Sequence, residues 1–486
     1  MIITPPRLAC FGLRAAALAS LVVVVACDKR GAVVSSSAST DQIYALTANW
    51  PSFAQKVDSS PAPKIDLLFM VDNSSSMLPL QAKLVASFSS MMTVLQGLPG
   101  GVPDLHIGVV SSDLGAGNSI DVPGCNSGGG DRAVLQSAPR DPTTCARIGT
   151  LNGRFLSVST DSTGAMVHNW SGDGSLADAF TCIGRLGDSG CGIEQQLASA
   201  ELALDPVIAP PENAGFVRSD AYLGVVLITN EDDCSAPYNS PVFQATSKYV
   251  SDPLGPLTSF RCNRVGHECR IGDGPWEAPI AAGTYTECRS NENGPLDKVG
   301  DFVTFLRGLK GDPARVFLGV IAGPPTPYVV TDDYTPTNDD PAGKWPQVSH
   351  SCTQSDGTYA DPSVRLWQTV EGVGERAMFE SICNDSMGPA LTNLTRRLVA
   401  PLQPPCVVVP DPGPGCTVVD RWQDADGTKH ATRLPACSDA GATKPCFSLA
   451  NDATCGTGEK HLVIDRSGTM ASDQLYTAAD CTTAHP

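Results

Sequence analysis

The 486-residue chain carries 33 Lys and Arg against 51 Asp and Glu, a formal net charge of −18. That acidity argues against nucleic acid as a ligand, because a phosphate backbone is held by basic surface. With 42% hydrophobic residues and frequent Gly and Pro, the chain has material for a large core and many loops, so more than one globular domain is expected.

Arg7 and Arg14 precede an apolar run, Ala15 to Val25, that stops at Ala26 and Cys27. The run is about half the roughly 20 residues of a membrane span, which favours a signal peptide over residues 1–26. Val24-Val25-Ala26-Cys27 resembles the bacterial lipoprotein signal, and the resemblance implies that Cys27 is acylated and anchors the protein extracytoplasmically in the cell envelope. An ordinary secretory signal is the alternative, and Asp28 leaves the choice of inner or outer membrane open. Beyond the signal the charge is −20, from 31 basic and 51 acidic residues. Of 18 cysteines, setting aside Cys10 and Cys27 leaves an even 16, as disulfides in an exported chain require. The near pairs Cys125 with Cys145, Cys182 with Cys191, and Cys262 with Cys269 are the expected bridges.

Residues 28–63, rich in Ser and Ala, read as a tether following the anchor. Ile65 to Val71 is apolar enough for a buried strand, and Leu80, Leu84, Val85, Phe88, Met91, Met92 and Leu95 then recur at helical spacing. Strands over 105–110, 222–229 and 316–321 alternate with helices over 197–204 and 299–309. A final helical region spans 375–398, with Pro389 opening a fresh segment. The alternation predicts an α/β fold, a Rossmann-like, doubly wound and mainly parallel sheet over 64–400. Stretches 113–180, 233–296 and 323–365 interrupt it as disulfide-stapled insertions. Prolines from Pro401 to Pro414 form a linker into a small β-rich domain ending at residue 486, stapled by Cys406, Cys416, Cys437, Cys446, Cys455 and Cys481.

The segment that carries chemistry is Asp72-Asn73-Ser74-Ser75-Ser76, between a buried strand and a helix. Alternate side chains of an extended or curling loop share one side, so Asp72, Ser74 and Ser76 can converge at the carboxyl end of a parallel strand. One carboxylate and two hydroxyls form a hard oxygen set suited to Mg²⁺ first, with Mn²⁺ and Ca²⁺ open. A helix-capping polar turn is the simpler alternative.

This pattern resembles the von Willebrand factor type A (VWA) domain family, whose metal-ion-dependent adhesion site (MIDAS) reads Asp-x-Ser-x-Ser, then a Thr, then an Asp. The resemblance implies metal binding by Asp72, Ser74 and Ser76. It departs at Gly187-Asp188-Ser189-Gly190, where Ser189 is the nearest hydroxyl to the missing Thr. It departs again at Thr229-Asn230-Glu231-Asp232-Asp233, where Asn230 occupies the aspartate position and Asp232 or Asp233 is the expected replacement. A cation with so few protein anions would accept a carboxylate from a protein partner or bind a surface polymer, so adhesion and not catalysis is expected. A structural envelope component with a degenerate metal site, or less favourably a hydrolase, are the alternatives. No Ser-His-Asp or His-x-x-x-His constellation occurs, and Gly187 to Gly190 with a terminal His485 has the wrong order for a trypsin-like protease. Asp465 to Thr469 and Asp424 to Gly427 read as turns, and Cys262, His267 and Cys269 as a disulfide with a bystander His instead of a zinc site.

Overall fold

The computed structural model describes residues 52–54 and 63–481, apart from 99–101, 120–121, 123–124, 126–128, 139, 141–144, 162–164, 245–248, 250, 335–344, 403–405, 410–415, 425, 452–454, 456–457 and 467–475. The expected signal peptide and anchor residue Cys27, most of the expected tether and the Ser467–Thr469 part of the expected Asp465 turn lie outside the described residues. Two compact units emerge, one over 58–404 and one formed by 1–57 with 405–486.

The larger unit is built on a seven-stranded sheet. In spatial order its strands are Ala377–Ser381, Val316–Ala322, Tyr222–Ile228, Lys64–Val71, Asp104–Ser111, Leu156–Thr160 and Met166–His168. The first five run parallel, and the last two extend the edge antiparallel. Lys64–Val71 is central, and successive side chains alternate between its faces. Ile65, Leu67, Phe69 and Val71 enter the core under helices Leu78–Gln96, Leu176–Gly184 and Gly388–Val399. Leu68 and Met70 enter the other, under Gln196–Leu204, Val299–Gly308 and Val364–Val373. Helices on both faces make this a doubly wound α/β fold. Helix Leu78–Gln96 is apolar enough to suit a membrane, yet here Leu84, Phe88 and Met91 are buried, and Phe88 stacks on Phe180 at 3.9 Å.

The chain passes from Lys64–Val71 to Asp104–Ser111 on one side, then returns to place Tyr222–Ile228 on the other. The order of strands reverses there, and in open α/β sheets the crevice at such a point, outside the carboxyl ends, is where ligands sit.

Three expectations need correction. Residues 377–381 form an edge strand, not the start of a helix, because Met378 and Phe379 register beside Gly319 and Val320; the helix begins at Gly388, with Pro389 in its first turn as expected. Helix Leu176–Gly184 begins inside the stretch 113–180 expected to be an insertion, and Val364–Val373 begins at the end of the stretch 323–365. The first is fixed by a capping box between Ser175 and Asp178, a signal present in the sequence. Residues 52–54, placed in the tether, pair antiparallel with Tyr476–Asp480.

The smaller unit has a four-stranded antiparallel sheet, Ser52–Ala54, Tyr476–Asp480, Thr417–Gln423 and Lys429–Leu434. A three-stranded sheet, Cys406–Val408, Glu459–Asp465 and Cys446–Ala450, accompanies it. Its disulfides, Cys406–Cys455, Cys416–Cys481 and Cys437–Cys446, use the six cysteines expected there.

The five disulfides of the larger unit pair differently from the expected neighbours: Cys125–Cys191, Cys145–Cys182, Cys234–Cys262, Cys269–Cys288 and Cys352–Cys383. Cys145 is joined to Cys182 on helix Leu176–Gly184, which leaves Cys125 to reach Cys191 in the next loop. Peptide mapping without reduction should recover the Cys125–Cys191 and Cys145–Cys182 linkages; recovery of Cys125 linked to Cys145 would contradict this arrangement.

Candidate cation-binding site

Asp72 follows the central strand with no solvent exposure. Its backbone N–H continues the sheet to Ile228 O at 2.9 Å. Its carboxylate accepts from the Ser74 N–H at 2.7 Å and the Ser112 hydroxyl at 3.3 Å through Oδ1, and from the Thr229 hydroxyl at 2.7 Å through Oδ2. Ser74 Oγ and Ser76 Oγ lie 3.3 Å apart, and the Ser76 hydroxyl donates to Asn230 Oδ1 at 3.1 Å. Asp72, Ser74 and Ser76 therefore converge, and Asn230 faces them with its amide oxygen. Burial pushes the Asp72 carboxyl above the usual range despite these hydrogen bonds.

The neighbouring loop is tied to this strand end by Gln81, itself almost fully buried. Its amide donates to Asp72 O and Gly187 O, at 2.9 and 2.8 Å, and accepts from the N–H groups of Leu186 and Gly187, at 2.9 and 3.0 Å. Gly190 then donates to Asn73 O at 2.9 Å. A Cβ there would fall 2.4 Å from Asn73 Oδ1, so this approach requires glycine. Ser189 is exposed and lines the mouth of a cleft of about 580 Å³ together with Ser74, Ser75, Asp188, Glu194 and Glu231. It makes no contact that draws it to Asp72 in the way Thr229 does.

The hydrogen bonds of Asp232 and Asp233, expected as metal ligands, run to helix N-termini, His267 and Arg365 and not to Asp72. Asp232 Oδ2 accepts from His267 Nε2 and the Arg365 N–H, both at 2.8 Å, and Oδ1 from the N–H groups of Leu366 and Asp233. It thereby satisfies the first turn of helix Val364–Val373. Burial alone would raise its carboxyl, but the hydrogen bond and charge of His267 and the contacts of Arg365 carry it below the usual range. Asp233 accepts from Leu197 N–H at the start of helix Gln196–Leu204 and pairs with Arg365 at 3.0 Å, both side chains wholly buried. His267 is no bystander, being held between Asp232 and the Tyr328 hydroxyl at 2.9 Å. Cys262 and Cys269 are each in disulfides with other partners. In the smaller unit Cys406, Cys455 and His461 come together, but the two cysteines are joined and offer no thiolate.

Two acids outside the expected ligand set lie within the field of Asp72. Glu194 is 3% exposed, and Glu231 is partly buried at the cleft. Both line the same cleft, and Glu194 Oε1 is buried without a partner. Burial, then the charges of Glu231 and Asp72, push Glu194 well above the usual carboxylate range. Burial, then Asp361 and Asp72, push Glu231 up to about 8. No lysine or arginine occurs among the described residues lining the cleft. An all-oxygen set with an orphaned buried carboxylate oxygen, in a cleft whose described lining has no basic residue, fits a hard divalent cation. The one sequence signal for Glu194 is a charged residue in the short apolar approach to a helix, after Cys191 and Ile193; Glu231 was indistinguishable from an ordinary solvated acidic loop.

No family model and no curated protein sequence matches the chain. Among solved structures, the pilus adhesin SpaC from Lactobacillus rhamnosus GG aligns at 11% identity and TM-score 0.27, covering 87% of this chain and 39% of the adhesin. Proximal thread matrix protein 1 of the mussel byssus aligns at 9% identity and TM-score 0.28, over 72% of this chain and 51% of its own. Human Sec24c, of the COPII coat, aligns at 9% identity and TM-score 0.29, over 89% and 46%. The chain thus spans about half or less of each, and likenesses at this level carry no argument about function.

Two outcomes are expected. Arg365→Met strips the wholly buried Asp233 of its counter-charge and should lower unfolding free energy by about 3–5 kcal/mol in denaturant titration. In chelator, the raised carboxyl of Glu231 means the folded chain binds a proton that the unfolded chain has lost between its ordinary value of 4.5 and about 8. Stability should therefore fall as pH rises through that window, and Glu231→Gln should flatten the fall.

Proposed function

We propose that this chain is an extracytoplasmic, lipid-anchored binding protein of the cell envelope, whose larger unit is a VWA-like domain that engages a protein or surface polymer through a divalent cation. The observation that carries the reading is the convergence of Asp72, Ser74 and Ser76 at the sheet's reversal point, with a buried carboxylate and no basic side chain lining the cleft. Asp72 would anchor the cation, Ser74 and Ser76 would supply hydroxyl oxygens, and Asn230 orients Ser76. Bound there, the cation supplies a positive charge on which an oxygen of the partner can close. Binding is favoured over hydrolysis because His267 is enclosed between Asp232 and Tyr328 and is not offered to a substrate.

The competing reading is a structural envelope component with a degenerate site, and it draws support from Asp232 and Asp233 being consumed as helix caps. Calorimetric titration of Mg²⁺ and Mn²⁺ into the metal-stripped, disulfide-oxidised protein separates the two. Saturable binding that Asp72→Ala abolishes is expected, with partner capture reversed by chelator; capture unchanged by Asp72→Ala would favour the structural reading. Cys27→Ser should move the protein from the membrane to the soluble fraction.

A further inference from the structure

Most of the other buried acids among the described residues have a cationic or imidazole partner, Asp113 being held by the Gly115 backbone N–H instead. Asp66 is held by Arg218 at 2.8 Å, Asp233 by Arg365 at 3.0 Å, Asp232 by His267 at 2.8 Å, and Asp420 by Arg466 at 2.5 Å. The group around Asp72 departs from that practice. Glu194 and Glu231 line one cleft with Ser74 and lie within the field of Asp72, the described lining of that cleft has no basic residue, and Glu194 Oε1 is enclosed without any partner. Three carboxylates gathered in this way repel one another when ionised, which drives the glutamates toward their protonated forms unless another charge compensates. A bound cation would supply that charge.

Both glutamates are also held in place by covalent means. Glu194 follows Cys191, bonded to Cys125, by three residues, and Glu231 precedes Cys234, bonded to Cys262, by three. The Cys234 N–H donates to Glu194 O at 2.8 Å, which zips the two loops together. Loops merely decorated with solvated acids would have no need of such fixation.

We infer that Glu194 and Glu231 are ligands of the cation held by Asp72, and that this three-carboxylate set makes the site one for calcium in preference to magnesium. The inference rests on the reading of the Asp72 cluster as a cation site. Ca²⁺ accepts about 6–8 oxygens in flexible geometry and takes carboxylates through one or both oxygens, whereas Mg²⁺ holds several of its waters and is served by about one or two carboxylates. Asp72, Glu194 and Glu231 with the hydroxyls of Ser74 and Ser76 supply the richer set. The preference for Mg²⁺ drawn from the sequence counted a single carboxylate.

The test is calorimetric titration of CaCl₂ and MgCl₂, separately, into the metal-stripped, oxidised full chain and its Glu194→Gln, Glu231→Gln and Asp72→Ala variants. The unsubstituted protein should bind Ca²⁺ at least about 10-fold more tightly than Mg²⁺, and each glutamine variant should lose at least about 10-fold in Ca²⁺ affinity. Without cation, both glutamine variants should melt no lower than the unsubstituted protein, since glutamine is nearly isosteric and can place no charge among the acids; this separates loss of a ligand from loss of fold. If Asp72→Ala abolishes binding while both glutamine variants retain full Ca²⁺ affinity, or if Mg²⁺ binds more tightly, the inference is overturned and the Asp72 reading stands. Absence of saturable binding of either ion to the unsubstituted protein overturns both.

Discussion

Asp72 ends the central strand fully enclosed, and a carboxylate so placed must be satisfied from within the protein. That requirement reaches into each of the neighbouring segments. Ser74 must curl its N–H back, Ser112 must present its hydroxyl from the adjacent strand end, and Thr229 must do the same from the other side. Gln81, one helical turn beyond the motif, uses both ends of its amide to bind the strand end and the loop at Gly187. The loops at the carboxyl edge of the sheet are thereby arranged around one anion.

The Glu231-Asp232-Asp233 run shows how little charge alone says about role. Asp232 and Asp233 meet helix N-termini, where exposed N–H groups and the helix dipole favour anions, and Arg365 and His267 supply the balancing groups. Glu231, one residue earlier, lines the cleft with Glu194 instead. A single step along the chain separates a structural anion from one that lacks a countercharge.

The framework was legible where a physical signal is local. Apolar runs at 65–71, 222–228 and 316–321 announce strands buried on both faces, and the spacing from Leu80 to Leu95 announces the helix that follows. The convergence of Asp72, Ser74 and Ser76 could likewise be read from alternation. Features that depend on distant segments could not. Ala377–Ser381 reads as helix by continuity with its flanks, and becomes a strand because Val316–Ala322 offers an open edge. Disulfide pairing follows Cα placement in three dimensions, so sequence proximity misassigned Cys125 and Cys182. Asp232 and Asp233 fit a motif by spacing, while the helices they cap are fixed by packing.

The strand Ser52–Ala54 places the chain's passage into the α/β unit within the smaller unit's sheet. The α/β unit is therefore an insertion, entered and left through the same small β unit. Among the described residues, a mechanical load applied upstream of Ser52 meets three residues lying along Tyr476–Asp480, a strand that the Cys416–Cys481 bridge secures at its far end. Under tension that strand is sheared along its hydrogen bonds, and its release would lengthen the connection while both disulfide-braced units stay folded.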